Sequence, residues 1–214
     1  MIAVTFALPS ESSDFRRLLG DRRHQIAIFH TGVGLAASRA RIEPFLDSQR
    51  FSRLISSGFA GGIDPSLGVG DLLLAENFSD PELLERARAT LIARVENLWT
   101  SDRVIDSAEE RARLAREHSA AAVDMETAAI AYACAARRIP FLSLRAISDT
   151  AGAPFPAPPE VLFDLVRQRA DRWRLSGHLL RHPAAVVRLI RFARQIALAR
   201  RRLAVALDEL IALA

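Results

Sequence analysis

The sequence contains no lysine: all 29 of its basic residues are arginine. That excludes chemistry built on a primary amine, such as a Schiff base, a pyridoxal-phosphate anchor or a P-loop lysine. A single cysteine, Cys134, allows neither an intramolecular disulfide nor a cysteine-based metal site, and points to a reducing compartment. No run approaches the ~20 charge-free apolar residues of a membrane span. The apolar start, residues 2–9, has no basic residue before it and is too short for a signal peptide, so a cytoplasmic location is expected. Histidines occur at 24, 30, 118, 178 and 182 without metal-ligand spacing, so no metal site is expected. No G-x-S-x-G turn is present for a serine nucleophile.

What remains is a chain of 214 residues, half of them hydrophobic, with ten glycines and ten prolines, which describes a soluble globular protein with one core and an appendage. The net charge of +4 is unevenly placed. From His178 onward seven arginines face only Asp208 and Glu209, while residues 1–177 carry about −1. The basicity belongs to the tail, and no nucleic-acid partner is expected. The natural division is a domain over 1–177 and a basic amphipathic helical extension over 178–214.

Strand and helix signals alternate along the domain. Residues 2–8 and 25–31 are short apolar, β-branched runs that read as buried strands. Gly32-Val33-Gly34 opens a helical pattern over 35–46 that continues past Pro44. Residues 53–57 predict a strand leading into the glycine-rich turn 58–62, and 72–75 predict another. Residues 81–93 read as helix, 95–100 as strand, and 107–118 as a helix on which Ser107 and Glu110 form a capping box. Residues 124–136 are helical and 140–147 a strand ending at Ser148-Asp149. The alternation predicts an α/β protein with helices on both faces of a parallel or mixed sheet. Residues 152–159 hold four of the ten prolines and mark a loop, followed by helical 160–180, a break at 181–183 and a long helical stretch over 184–214.

Ligands of open α/β sheets bind at the carboxyl ends of the strands. Three acids fall there: Glu11 after the first strand, Asp149 after the strand 140–147, and Glu126 at the start of the Ala-rich helix. Taken alone, each also fits a solvated turn, a cap or a first-turn acid. The turns TGVG (31–34) and SGFAGG (57–62) fit either tight turns or a phosphate cradle. Arg145, inside a strand, reads as the buried partner of a carboxylate in preference to a phosphate ligand.

Four segments in order, HTGVGLAAS (30–38), SGFAGGIDPSLGVGDLLLAE (57–76), AVDMETAAIA (122–131) and PFLSLRAISDTA (140–151), resemble the nucleoside phosphorylase superfamily. Within it they are most similar to the methylthioadenosine/S-adenosylhomocysteine nucleosidase branch. The resemblance implies a three-layer α/β sandwich with a central mixed sheet, cleavage of the N-glycosidic bond of a purine nucleoside, an adenosine derivative, and a homodimer or larger assembly. By the family pattern Asp149 protonates or hydrogen-bonds purine N7, Glu126 binds the ribose hydroxyls and Met125 packs on the sugar. Glu11 holds and deprotonates the attacking water, and Val104 and Ile105 supply backbone contacts to the base. Gly34, Ser57 and Gly58 offer a cradle for water or phosphate. No metal or organic cofactor is implied, and inorganic phosphate is the co-substrate if the reaction is phosphorolysis. These residue types suit an oxocarbenium-like transition state, which needs an acid at the departing base, a carboxylate near the sugar and a positioned nucleophile. Asp149 in that role needs burial that keeps it protonated.

Two departures bear on the substrate. Phe59 stands where the nucleosidases usually carry a small residue, and the connection 76–97 is shorter than theirs. The proline-rich loop and arginine-rich tail resemble instead the hopanoid-associated phosphorylases, which act on a lipid-linked adenosine. The nucleophile therefore stays open. Glu11 favours water, because a carboxylate activates water and repels phosphate, while the glycine turns favour phosphate. The tail has two readings, peripheral contact with an anionic membrane surface and packing on the domain or on a second subunit. A non-catalytic nucleoside-binding protein is the third reading of the whole chain.

Overall fold

The computed structural model describes residues 1–152 and 185–212. The strands are β1 (Ile2–Phe6), β2 (Ile26–His30), β3 (Arg53–Gly62), β4 (Leu72–Ala75), β5 (Arg94–Glu96), β6 (Leu98–Thr100), β7 (Ala122–Asp124) and β8 (Phe141–Asp149). The helices are α1 (Ser13–Leu19), α2 (Leu35–Asp47), α3 (Pro81–Thr90), α4 (Ala108–His118), α5 (Thr127–Ala136) and α6 (Ala185–Ala212), with a 3-10 turn over Gly20–Gln25. The sheet runs β2-β1-β3-β8-β4-β5. β1 pairs in parallel with β2 and β3, and β3 in parallel with β8. β4 lies antiparallel to β8 and parallel to β5, which makes the sheet mixed. β7 pairs antiparallel with the end of β3 and parallel with β6. Helices cover a sheet whose central strand, β8, is buried along its whole length, the burial a strand covered on both faces requires.

Local chemistry sets the helix starts. Asp80 caps α3 by accepting the N–H groups of Glu82 and Leu83, with Pro81 in the first helical position, where its missing N–H costs nothing. Ser107 caps α4 by accepting from Glu110 N–H at 3.1 Å. The Glu110 side chain pairs with Arg103 instead of closing the expected box.

The C-terminal helix packs on the domain. Ala199, Leu203, Ala204, Ala206 and Leu207 of α6 are buried in one cluster with Val4, Phe15 and Leu144. Arg200 pairs with Asp14 at 2.8 Å, and Arg22 with Asp208. Of the two readings of the tail, packing on the domain describes this half of the helix. Its first half keeps Val187, Ile190, Arg188, Arg191 and Arg194 exposed. Among the described residues no helix is long and apolar enough to cross a membrane.

Several local expectations change. SGFAGG is not a turn: β3 runs straight through it to Gly62, because β8 pairs along it as far as Asp149. A register shift between Ala60 and Gly61 leaves Ser148 as an extra residue and sets Asp149 opposite Gly61. The single strand expected over 95–100 is two. Asn77 accepts Leu98 N–H and donates to Leu98 O, both at 3.0 Å, and the chain passes there from β4 to β7 as partner. α1, the 3-10 turn and β7 were not expected. The expected helix over 160–180 and the break at 181–183 lie outside the described residues.

Candidate active site

A cavity of about 240 Å³ opens at the carboxyl ends of β1, β3, β7 and β8. Glu11 reaches it from the turn after β1. Its own N–H donates to Leu8 O at 3.1 Å, and Ala7 N–H donates to its Oε2 at 3.2 Å. A Cβ on Gly58 would lie 3.3 Å from that oxygen, so the bare backbone of β3 makes room for the carboxyl. Glu11 is only 8% exposed. Burial raises its pKa to about 7, against the pull of the Ala7 N–H and the Arg145 charge.

Glu126 sits at the N-cap of α5 and accepts Gly34 N–H at 2.8 Å. Gly34 has φ +92°, a conformation that only glycine adopts without strain. The N–H expected in a water or phosphate cradle is thus committed to a carboxylate. Burial raises Glu126 to about 8, and the neighbouring Asp124 and Glu11 charges push the same way. Both cavity acids therefore titrate near neutrality.

Beneath them Arg145 is fully engaged. Its Nε donates to Asp124 Oδ2 at 3.0 Å, Nη1 to the Ser56 and Leu144 carbonyls, and Nη2 to Ser56 Oγ at 2.8 Å and Thr127 Oγ1 at 2.6 Å. Asp124 also accepts from Thr100 Oγ1 at 2.8 Å and from the Thr127 hydroxyl. Arg145 is the carboxylate partner that its place in a strand suggested.

Asp149 ends β8 and is 2% exposed. Ser148 Oγ donates to its Oδ1 at 2.7 Å, and Arg111 Nη2 donates to its Oδ2 in a buried ion pair. Both of its oxygens are thus held by neighbouring side chains. A Cβ on Gly61 would stand 3.2 Å from Asp149 Oδ2 and 3.3 Å from Arg111 Nη1. The glycine at that position is what admits the pair.

The described residues include three buried side-chain polar atoms without a hydrogen-bond partner: Thr5 Oγ1, Ser57 Oγ and Arg111 Nε. All three residues line this cavity. Each unmade buried bond costs about 1–3 kcal/mol, a cost that a polar ligand reaching these atoms would offset. Among the described residues no group of histidine, cysteine and acidic side chains could hold a metal ion. Burial pushes the Cys134 thiol up to about 12, which makes it inert at neutral pH.

The structure brings most of the sequence-predicted residues together. Glu11, Ser57, Gly58, Phe59, Val104, Ile105, Met125, Glu126 and Asp149 all line the cavity, and Gly34 touches it through Glu126. Thr5, Arg111, Phe192 and Ile196 line it as well and were not foreseen. The last two come from α6, so the tail supplies part of the wall.

Residues 75–180 match the family model of the phosphorylase superfamily. The 5'-methylthioadenosine/S-adenosylhomocysteine nucleosidase of Tolumonas auensis is 25% identical over 180 residues, spanning 69% of this chain and 78% of the relative. The native futalosine hydrolase of Helicobacter pylori superposes with a TM-score of 0.74 at 16% identity, over 100% of this chain and 97% of that one. The 5'-methylthioadenosine/S-adenosylhomocysteine nucleosidase of the same organism, solved with butyl-thio-DADMe-Immucillin-A, gives 0.73 at 17% identity over 100% and 98%. The chain is thus similar to the phosphorylase superfamily. The mixed sheet is the one the sequence motifs implied, and Glu11, Glu126 and Asp149 line the cavity at its strand ends.

Proposed function

We propose that this chain hydrolyses the N-glycosidic bond of a purine nucleoside, an adenosine derivative, with water as the nucleophile. One observation carries the choice of water: each arginine among the described residues that lines the cavity is paired with a carboxylate, Arg103 with Glu110, Arg111 with Asp149 and Arg145 with Asp124. A phosphate nucleophile needs cationic or backbone donors to hold it, and Gly34 N–H, one donor expected there, is given to Glu126. What faces the nucleophile's place is Glu11, a carboxyl poised near pH 7, the value a general base working at neutrality should have.

In this reading a water held by Glu11 and the unpartnered Thr5 and Ser57 hydroxyls attacks C1′ and passes its proton to Glu11. Glu126 meets the ribose hydroxyls and Met125 packs on the sugar. Val104, Ile105 and the Asp149–Arg111 pair meet the base. Two carboxyls on one oxocarbenium-like centre follow the logic of glycoside hydrolysis. The relatives whose names specify methylthioadenosine and S-adenosylhomocysteine support an adenosine derivative as substrate. Phe59, with Phe192 and Ile196 of α6, gives this cavity an apolar lining suited to an apolar substituent on the sugar.

The test is chromatographic detection of free base from adenosine, inosine, methylthioadenosine and S-adenosylhomocysteine, in phosphate-free buffer and with added phosphate. Base and a free sugar without phosphate are expected. Release only with phosphate, as a sugar 1-phosphate, overturns the choice of water. Nucleoside binding without any release overturns the enzymatic reading.

A further inference from the structure

The outward face of α6 carries charge of one sign. Between residues 185 and 207 the helix has six arginines and no acid. Arg188, Arg191, Arg194, Arg201 and Arg202 are exposed. Four of these, Arg188, Arg191, Arg194 and Arg202, make no ion pair or side-chain hydrogen bond among the described residues. Two acids beside them are already neutralised, Asp14 of α1 by Arg200 at 2.8 Å and Asp208 by Arg22. Glu209, near the end of the helix, is exposed.

Between the arginines stand Val187, Ile190, Leu198 and Val205, all at least 45% exposed. At about 3.6 residues per turn these four fall on one side of the helix, with Arg194 and Arg201 among them and Arg191 and Arg202 beside them. The opposite side puts Ala199, Leu203 and Leu207 into the core and Phe192 and Ile196 into the lining of the cavity. One face of α6 is therefore fixed on the domain, and a mixed apolar and cationic face is turned outward.

We propose that this face docks on an anionic phospholipid surface, with α6 lying in the plane of the headgroups. Aliphatic side chains exposed in a row gain by burial at the boundary between headgroups and acyl chains, and flanking cations hold them there. Arginine suits the position, because its stem covers apolar surface while its guanidinium reaches a phosphate with two parallel hydrogen bonds. Charge favours this partner over a second copy of the chain, since a two-fold contact through the face would set the same arginines against one another. The contact is peripheral: among the described residues no helix is long and apolar enough to cross a membrane. Phe192 and Ile196 share their turns with Ile190, Arg191 and Arg194, so docking brings the cavity lining to within about a helix diameter, ~10–12 Å, of the lipid.

Co-sedimentation of the whole chain with vesicles tests the proposal, one set of phosphatidylglycerol and phosphatidylcholine in equal parts and one of phosphatidylcholine alone. The chain is expected to sediment with the anionic vesicles and to stay in solution with the neutral ones, and its binding should weaken as salt rises. A basic residue near an anionic surface is worth about fivefold in partitioning, so Arg191→Gln with Arg194→Gln should lower the partition coefficient about 20-fold or more. Arg39→Gln with Arg41→Gln removes the same charge from α2, on the other side of the sheet. There Ile42 of α2 packs in one cluster with Leu54, while α6 packs in another with Ile55, the next residue of β3. This control is expected to change binding by less than about threefold. Ile190→Ser keeps every charge and should lower binding to the anionic vesicles about tenfold; it serves if the arginine pair does not fold. Failure to bind anionic vesicles, equal binding to both vesicle types, or equal losses in the two arginine pairs overturns the proposal. A fall in the sedimentation-equilibrium mass of Ile190→Ser without lipid also overturns it, by making the face an interface between copies of this chain.

Discussion

Replacing Glu11 by Gln should stabilise the protein while abolishing its chemistry. The amide keeps a carbonyl to accept Ala7 N–H and removes the charge that burial penalises. The raised pKa means that the native state holds a proton which the unfolded chain has already released. Wild-type stability therefore falls as pH rises from about 4.5 through about 7, and the full penalty is present above that window. A shift from 4.5 to about 7 corresponds to about 3 kcal/mol. For a chain of this size that is about 6–12 °C in melting temperature. Circular-dichroism melts at pH 4.5 and pH 8.5 check it: Glu11→Gln and wild type should nearly coincide at the lower pH and separate by that amount at the higher, with the variant the more stable. Base release should fall by about 100-fold or more, the typical loss for a general base. A difference in melting temperature that is the same at both pH values would refute the burial argument, and retained turnover would refute the role.

Glu126→Gln should keep the fold, read from an unchanged far-ultraviolet spectrum, and lose base release, because an NH2 group replaces one of the carboxyl oxygens that meet the ribose hydroxyls. Arg145→Met leaves Asp124 buried without its cation and should cost about 3–5 kcal/mol, measured by urea unfolding; a smaller loss would show that Thr100 and Thr127 alone satisfy it. Gly61→Ala pushes a methyl group to 3.2 Å from Asp149 Oδ2, and a displacement of the pair should lower kcat by about tenfold to 100-fold while KM changes little. Phe192→Ala trims the α6 wall of the cavity and should raise KM by about tenfold to 100-fold, a contact worth about 1–3 kcal/mol, with little change in melting temperature.

The legible parts of the sequence were those where local pattern and tertiary role coincide. Runs such as 2–8 and 25–31 are apolar because both faces of the strands are covered, and the acids that follow strands fell at the cavity for the same topological reason. Arg111 was hidden by its surroundings. In EERARLAREH it looks like one more charge on a solvated helix, and the only trace of its burial is the i, i+3 spacing to the buried Leu114. The helix α1 is short and lacks a side-chain cap, although Phe15 and Leu19, four apart and both buried, carry its signal. The glycines of SGFAGG read as a turn because glycine permits turns. Here the absence of side chains serves a strand that must pass close to Glu11 and Arg111.

Hydrolysis in water enriched in ¹⁸O tests the central claim most directly, with phosphate present so that both nucleophiles compete. The account predicts a free sugar carrying the label at C1, formed at the same rate with and without phosphate and lost in Glu11→Gln. Unlabelled sugar 1-phosphate as the product, or labelled sugar formed equally well by the Glu11 variant, would contradict it.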